Sequence, residues 1–171
     1  TDTFMYSHHL VAFMDLLGQK EKLLEMEGVL NIESRDSATE KLRPILKNTV
    51  GAIWSFRKSF SDYFDQYLNL PISIPIPKEI EDKFQQMRSH SKINLQSFSD
   101  TTIVWTPIEA KTEMMYAQAL NSTHGILASA GMITPLYLSK KFPIRGGIDI
   151  EGGVAITPGG NEIYGPVLNR A

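Results

Sequence analysis

Two aspartates sit where a carboxylate can do chemistry. Asp15 closes the apolar run Leu10-Val11-Ala12-Phe13-Met14, and Asp100 lies in Ser99-Asp100-Thr101, between Ile93–Phe98 and Thr102–Trp105. The first run, followed by Gly18, predicts a buried strand entering a turn, and the second pair predicts a hairpin with Asp100 at its reversal. If the strands are neighbours, the two carboxylates converge on a divalent cation. Mg²⁺ commonly takes one or two carboxylates plus substrate phosphate oxygens, and a two-metal site activates a hydroxyl and stabilises a leaving phosphate. The N–H groups of Leu17 and Gly18, at the start of a predicted helix, offer donors to phosphate oxygens. Spacing alone favours a plainer role, because Asp is common in turns and helix caps.

Other candidates are set beside their ordinary readings. Arg145 opens a strand near a Gly-rich stretch and suits a triphosphate. Lys140-Lys141 reads as a solvated charge pair. His8 and His9, adjacent on a strand, point to opposite faces and do not chelate one metal together. Asp149 and Glu151 alternate with Ile148 and Ile150, the pattern of a strand's outer face. Gly146-Gly147 and Gly152-Gly153 predict close backbone approach or a bulge, not a dinucleotide fingerprint. Trp54, Phe56, Phe60, Phe64 and Tyr67 read as a core or dimer stripe.

The elements that must position these groups follow from periodicity. Helix is expected over Lys20–Glu27, over Ser37–Leu68 as one element or two, over Lys78–Ser89 and over Glu109–Tyr137. Pro71–Pro77, with alternating prolines, reads as an extended loop. Ile144–Ile150 and Gly152–Ile156 are expected to pair as a hairpin. Glu162–Gly165 reads as extended, and Val167–Ala171 as the start of a helix. At about 150 residues per domain, 171 residues predict one domain. The class is α/β or α+β. Seventeen basic against nineteen acidic residues give −2 and no footprint for nucleic acid. Cysteine is absent, which excludes disulfides and thiolate chemistry and fits a cytoplasmic location. No apolar run reaches the ~18 residues of a membrane span.

Three segments in order resemble the class III nucleotidyl cyclases. Val11-Ala12-Phe13-Met14-Asp15-Leu16-Leu17-Gly18 is similar to their first metal motif. Gln96-Ser97-Phe98-Ser99-Asp100-Thr101-Thr102 is similar to the second. Ile144-Arg145-Gly146-Gly147-Ile148-Asp149-Ile150-Glu151-Gly152-Gly153, with Ile163-Tyr164-Gly165-Pro166-Val167-Leu168-Asn169-Arg170-Ala171, resembles the C-terminal part. The helical stretch at about 37–89 has no counterpart and reads as an insertion. Ser99 before Asp100 and the Arg-Gly-Gly-Ile strand look most like the bacterial pyrimidine cyclases of the Pycsar anti-phage system.

The resemblance implies an α+β sandwich, a ferredoxin-like or palm-type catalytic domain with a mixed, mostly antiparallel sheet. It implies that Asp15 and Asp100, helped by the Leu16 carbonyl, hold two Mg²⁺ or Mn²⁺ ions. Asn169 matches the Asn that orients the ribose. Gln96 and Glu162 stand where adenylate cyclases carry a Lys and an Asp that read adenine, a donor and acceptor pattern that does not support adenine and does not by itself establish uracil. The likeness to the pyrimidine cyclases implies a product of cyclic UMP or cyclic CMP from UTP or CTP. It also implies a homodimer with composite sites and a separate cyclic-nucleotide effector. A transition-state Arg belongs four residues after the Asn, a position beyond Ala171. Two other readings stand beside this one: a catalytically silent cyclase-like module that dimerises or binds a ligand, and a different palm-type enzyme such as a diguanylate cyclase, whose hairpin motif is absent here.

Overall fold

The computed structural model describes residues 3–29, 35–71, 75–157 and 162–166. The order of elements is β1 (Thr3–Leu16), α1 (Gln19–Leu24), α2 (Arg35–Asn48), α3 (Val50–Leu68), α4 (Lys78–Ser89), β2 (Asn94–Phe98), β3 (Thr101–Pro107), α5 (Glu113–Ser139), β4 (Ile144–Thr157) and β5 (Glu162–Tyr164). The strands form one sheet ordered β2-β3-β1-β4-β5. Every neighbouring pair among them is antiparallel. The expected parallel component is absent among the described strands. Each helical connection, β1 to β2 and β3 to β4, skips over one intervening strand, so parallel strands never touch. This is the split β-α-β arrangement of ferredoxin-like sheets, with β5 added at one edge.

Alternation along β1 builds two different faces. Leu10, Ala12, Met14 and Leu16 are buried with Val104 of β3 beneath α3 and α5. From α3 come Ala52, Ile53, Phe56, Phe60 and Phe64, and from α5 Ile126, Ile133 and Tyr137. The stretch read as an insertion therefore supplies much of the main core. Of its aromatic stripe, Phe56, Phe60 and Phe64 are buried, whereas Trp54 is exposed. On the opposite face, Val11, Ile103 and Trp105 pack with Ala155 and Ile163 in a smaller cluster.

The long helical pattern after Ser37 divides at Thr49, not at Pro44, which lies inside α2. The Thr49 hydroxyl donates to the Ile45 carbonyl at 2.7 Å, a local bond that competes with continued helix. Helix α5 starts at Glu113, later than expected, because Thr112 takes the N-cap and its hydroxyl accepts from the Met115 amide at 3.2 Å.

The hairpin expected between Ile144–Ile150 and Gly152–Ile156 does not form. β4 is one strand, paired without a bulge along the whole of β1, from Thr3 opposite Thr157 to Leu16 opposite Ile144. Its glycines serve close approach instead of reversal. A Cβ at Gly146 would collide with the Phe13 carbonyl, and one at Gly152 with the Tyr6 hydroxyl. Gly165, at φ +132°, rests on the backbone of Gly152 and Gly153. The expectations for Ile72–Ile74, for Pro158-Gly159-Gly160 and for a helix over Val167–Ala171 lie outside the described residues.

Candidate functional site

The register of β1 against β3 brings the two aspartates together. Asp15 stands opposite Thr101, the residue after Asp100. Phe98 pairs with Thr101, which leaves Ser99 and Asp100 as a two-residue reversal between β2 and β3. The Leu16 amide donates to the Asp100 carbonyl at 3.4 Å, tying the turn to the end of β1.

Asp15 is buried, and both its oxygens have partners. Nη2 of Arg145, opposite it on β4, donates to Oδ2 at 2.7 Å, and the Thr101 hydroxyl lies 3.5 Å from Oδ1. The Arg145 side chain is 70% exposed and that of Asp15 only 12%. The pair is thus a fixed carboxylate and a cation free to turn toward solvent or a ligand. Asp100 is half-buried. Among the described residues its carboxylate has no hydrogen-bond or ion-pair partner.

The turn carrying Asp100 is strained and braced. Ser99 has φ +55°, the left-handed region that costs a non-glycine residue roughly 1–2 kcal/mol. Arg57 of α3 reaches the turn from beneath. Its Nη2 donates to the Ser99 carbonyl at 2.8 Å and approaches the Thr101 carbonyl at 3.5 Å. Burial pulls this guanidinium below its ordinary pKa. Sequence reasoning missed Arg57, since nothing local marks one Arg in a long amphipathic helix as the partner of a turn 42 residues on.

Among the described residues, no three His, Asp or Glu side chains converge on one point. A cation at this end of the sheet would have the carboxylates of Asp15 and Asp100 and backbone oxygen to meet it, and no third acidic or imidazole side chain among the described residues. Hard oxygen donors in small number fit Mg²⁺ or Mn²⁺, which keep water and phosphate oxygens as their remaining ligands. They do not fit a structural zinc site.

Gln96 reaches the backbone of β5 beside Glu162 although β2 and β5 are the two edges of the sheet. The sheet curls so that the Ile163 amide donates to Gln96 Oε1 at 3.2 Å. This leaves the Gln96 amide group as a donor. Oε2 of Glu162 accepts from the Tyr164 hydroxyl at 2.7 Å, a bond that raises the tyrosine pKa.

Other expectations fare differently. The Leu17 amide, expected as a phosphate donor, donates to the Pro143 carbonyl at 2.9 Å. Gly18, at φ +78°, turns the chain into the six-residue α1. Asn169 lies outside the described residues. His8 and His9 do point oppositely. His8 is exposed and meets Glu109 at 2.8 Å, while His9 is buried edge-on to Trp105 with Nε2 3.1 Å from the Ser7 hydroxyl. Lys140 lies over the Tyr137 ring. No helix among the described residues is long and apolar enough to cross a membrane.

No family model and no curated protein matches this sequence. Among solved structures, the chain is similar to the adenylyl cyclase CyaB from P. aeruginosa, at 14% identity and a TM-score of 0.40, over 98% of this chain and 70% of that one. The chemistry has to be read from the residues themselves.

Proposed function

We propose that this chain is a divalent-metal-dependent nucleotide cyclase that converts UTP, or CTP, to the 3′,5′-cyclic monophosphate and pyrophosphate. The observation that carries the proposal is the meeting of Asp15 and Asp100 at the ends of adjacent strands, one fixed by Arg145 and the other without a side-chain partner among the described residues.

Asp15, Asp100 and the Leu16 carbonyl would hold two Mg²⁺ or Mn²⁺ ions. Such ions, when bound, lower the pKa of the ribose hydroxyl and neutralise the triphosphate. With its proton passed to solvent water, the 3′-oxygen attacks the α-phosphorus in line, and the bond from that phosphorus to the oxygen bridging it to the β-phosphorus breaks, releasing pyrophosphate. Arg145, released from Asp15, turns to the triphosphate, and the Gly18 amide offers a further donor. Positioning and electrostatics supply most of the rate in such transfers. Gln96 and Glu162 select the base. The Gln96 amide N–H as donor and the Glu162 carboxylate as acceptor would complement the carbonyl and N3–H of uracil, and also N3 and the amino group of cytosine. Asn169, from the partner of a homodimer, orients the ribose. The product serves as an anti-phage second messenger read by a separate effector.

The deciding experiment incubates the protein with ATP, GTP, CTP and UTP plus Mn²⁺ and identifies products by mass spectrometry. One cyclic pyrimidine nucleotide is expected. A cyclic purine would overturn the base assignment. The ion pair between Arg145 and Asp15 favours one second reading, a silent cyclase-like module in which the arginine takes the cation's place. A folded protein that forms no cyclic product and binds no Mn²⁺ would establish that module.

A further inference from the structure

We infer that Arg57 is a positioning residue for Asp100, acting from the helical stretch that the motif resemblance reads as an insertion. The inference rests on the proposed two-carboxylate site and extends it to a third residue that touches neither cation nor nucleotide.

The argument begins with the turn. A two-residue reversal presents Asp100 beside Asp15, and its first residue, Ser99, holds a left-handed φ of +55° without being glycine. Residues keep such conformations only where the surroundings over-determine them, and they gather where geometry serves function. The surroundings here are three hydrogen bonds to three consecutive carbonyls. Arg57 takes Ser99 at 2.8 Å and Thr101 at 3.5 Å, and the Leu16 amide takes Asp100 at 3.4 Å between them. Among the described residues the Asp100 side chain has no partner, while its backbone is held on both sides.

Arg57 is a stiff brace. Phe56 and Phe60, its neighbours on α3, are 1% and 0% exposed, so the helix is locked to the sheet. The residue is half-buried, and its Nε has no partner among the described residues. A guanidinium presents several donors in one plane, so one side chain reaches both carbonyls, and a Lys ammonium reproduces that only in part. Residues that orient a metal's ligands are worth 10–100-fold in affinity in characterised sites.

The test titrates the full chain with Mn²⁺ alone, following free Mn²⁺ by electron paramagnetic resonance. It compares wild type, Arg57→Met, Arg57→Lys, Asp100→Asn and Ile53→Val. Ile53→Val trims the buried core one turn away on the same helix and so controls for lost stability. Arg57→Met is expected to weaken Mn²⁺ binding about 10–100-fold, Arg57→Lys by less, and Ile53→Val not at all, with faster amide exchange at residues 99–101 in Arg57→Met only. Asp100→Asn losing Mn²⁺ while Arg57→Met binds within twofold of wild type overturns the role of Arg57 and leaves the carboxylate site standing. Asp100→Asn binding like wild type overturns the site itself, and the inference with it. Failure of both Arg57 variants to fold would assign the residue to the core and equally overturn the inference.

Discussion

The two faces of the sheet divide one strand between two tasks. Even-numbered residues of β1 enter a dry layer of Phe56, Phe60, Phe64, Ile126 and Ile133, where area removed from water sets the energy. Odd-numbered residues run from Ser7 and His9 through Val11 to Asp15, mixing polar groups into a thin apolar cluster closed by Ile163. The first face tolerates little loss of volume, and its buried apolar cluster holds no ionisable group except the Tyr137 phenol. The second buries less and aligns donors and carboxylates. The proposed chemistry sits on the face that contributes less to holding the fold, at the end where β1 and β4 meet the tip of the β2–β3 hairpin.

That contrast breaks if either face behaves like the other. The largest effect expected is on turnover. Asp15→Ala or Asp100→Ala should lower cyclase rate by at least about 10²–10³-fold, the scale of removing one preorganised electrostatic group. Unfolding free energy should change by less than about 1 kcal/mol, since the partner of Asp15 is largely exposed. Product formation and urea melts on the same samples give both numbers, and a full rate in either variant would sink the carboxylate assignment. The converse is Phe60→Ala, fully buried on the helical face. It should cost about 3–5 kcal/mol while the kcat of the surviving folded fraction stays near wild type, which activity normalised to folded protein at low temperature reads out. Gln96→Leu tests the hinge between base selection and structure. Ile163 is fully buried and would lose the acceptor for its amide, so about 1–2 kcal/mol of stability should go, together with discrimination between pyrimidine and purine triphosphates. Unchanged stability would mean that water reaches the Ile163 amide.

Much of this was legible in the residues. The strand ending at Asp15, the hairpin around Asp100 and helix α4 follow from local runs and turn chemistry, where nearest neighbours decide conformation. Tertiary partners decided the rest. Gly152-Gly153 looks like a reversal by composition, yet it is the landing point for Tyr6 and Gly165 within a continuous strand. The meeting of Asp15 and Asp100 required knowing that β3 lies beside β1, which no local pattern states. The Leu17 amide seemed available only while the path of Pro143 was unknown. Arg57 and Arg145 reach their partners across 42 and 130 residues of chain, and side-chain bonds of that span leave no periodic mark.

The subtlest difference between the faces is in their response to acid. His9 is 1% exposed on the polar face, and burial lowers its pKa below the usual 6.5. The hydrogen bond to Ser7 and the charge of Glu109 oppose that shift, and His8 adds to it. Nδ1 of His9 and Nε1 of Trp105 have no partner among the described residues, so a second proton on the ring would enter an apolar site without an acceptor. The unfolded chain takes up that proton near pH 6.5 and the folded chain does not. Stability from the neutral ring is therefore fully present above about pH 6.5 and declines as pH falls toward the lower folded value. His9→Gln, uncharged and still able to meet the Ser7 hydroxyl, should remove this part of the pH dependence. Urea midpoints at intervals between about pH 7.5 and 5 should fall more steeply for wild type than for the variant, with the two curves drawing together at the acid end. Parallel curves would mean that His9 protonates as readily when folded as when unfolded, and that the polar face admits water as far inward as Trp105.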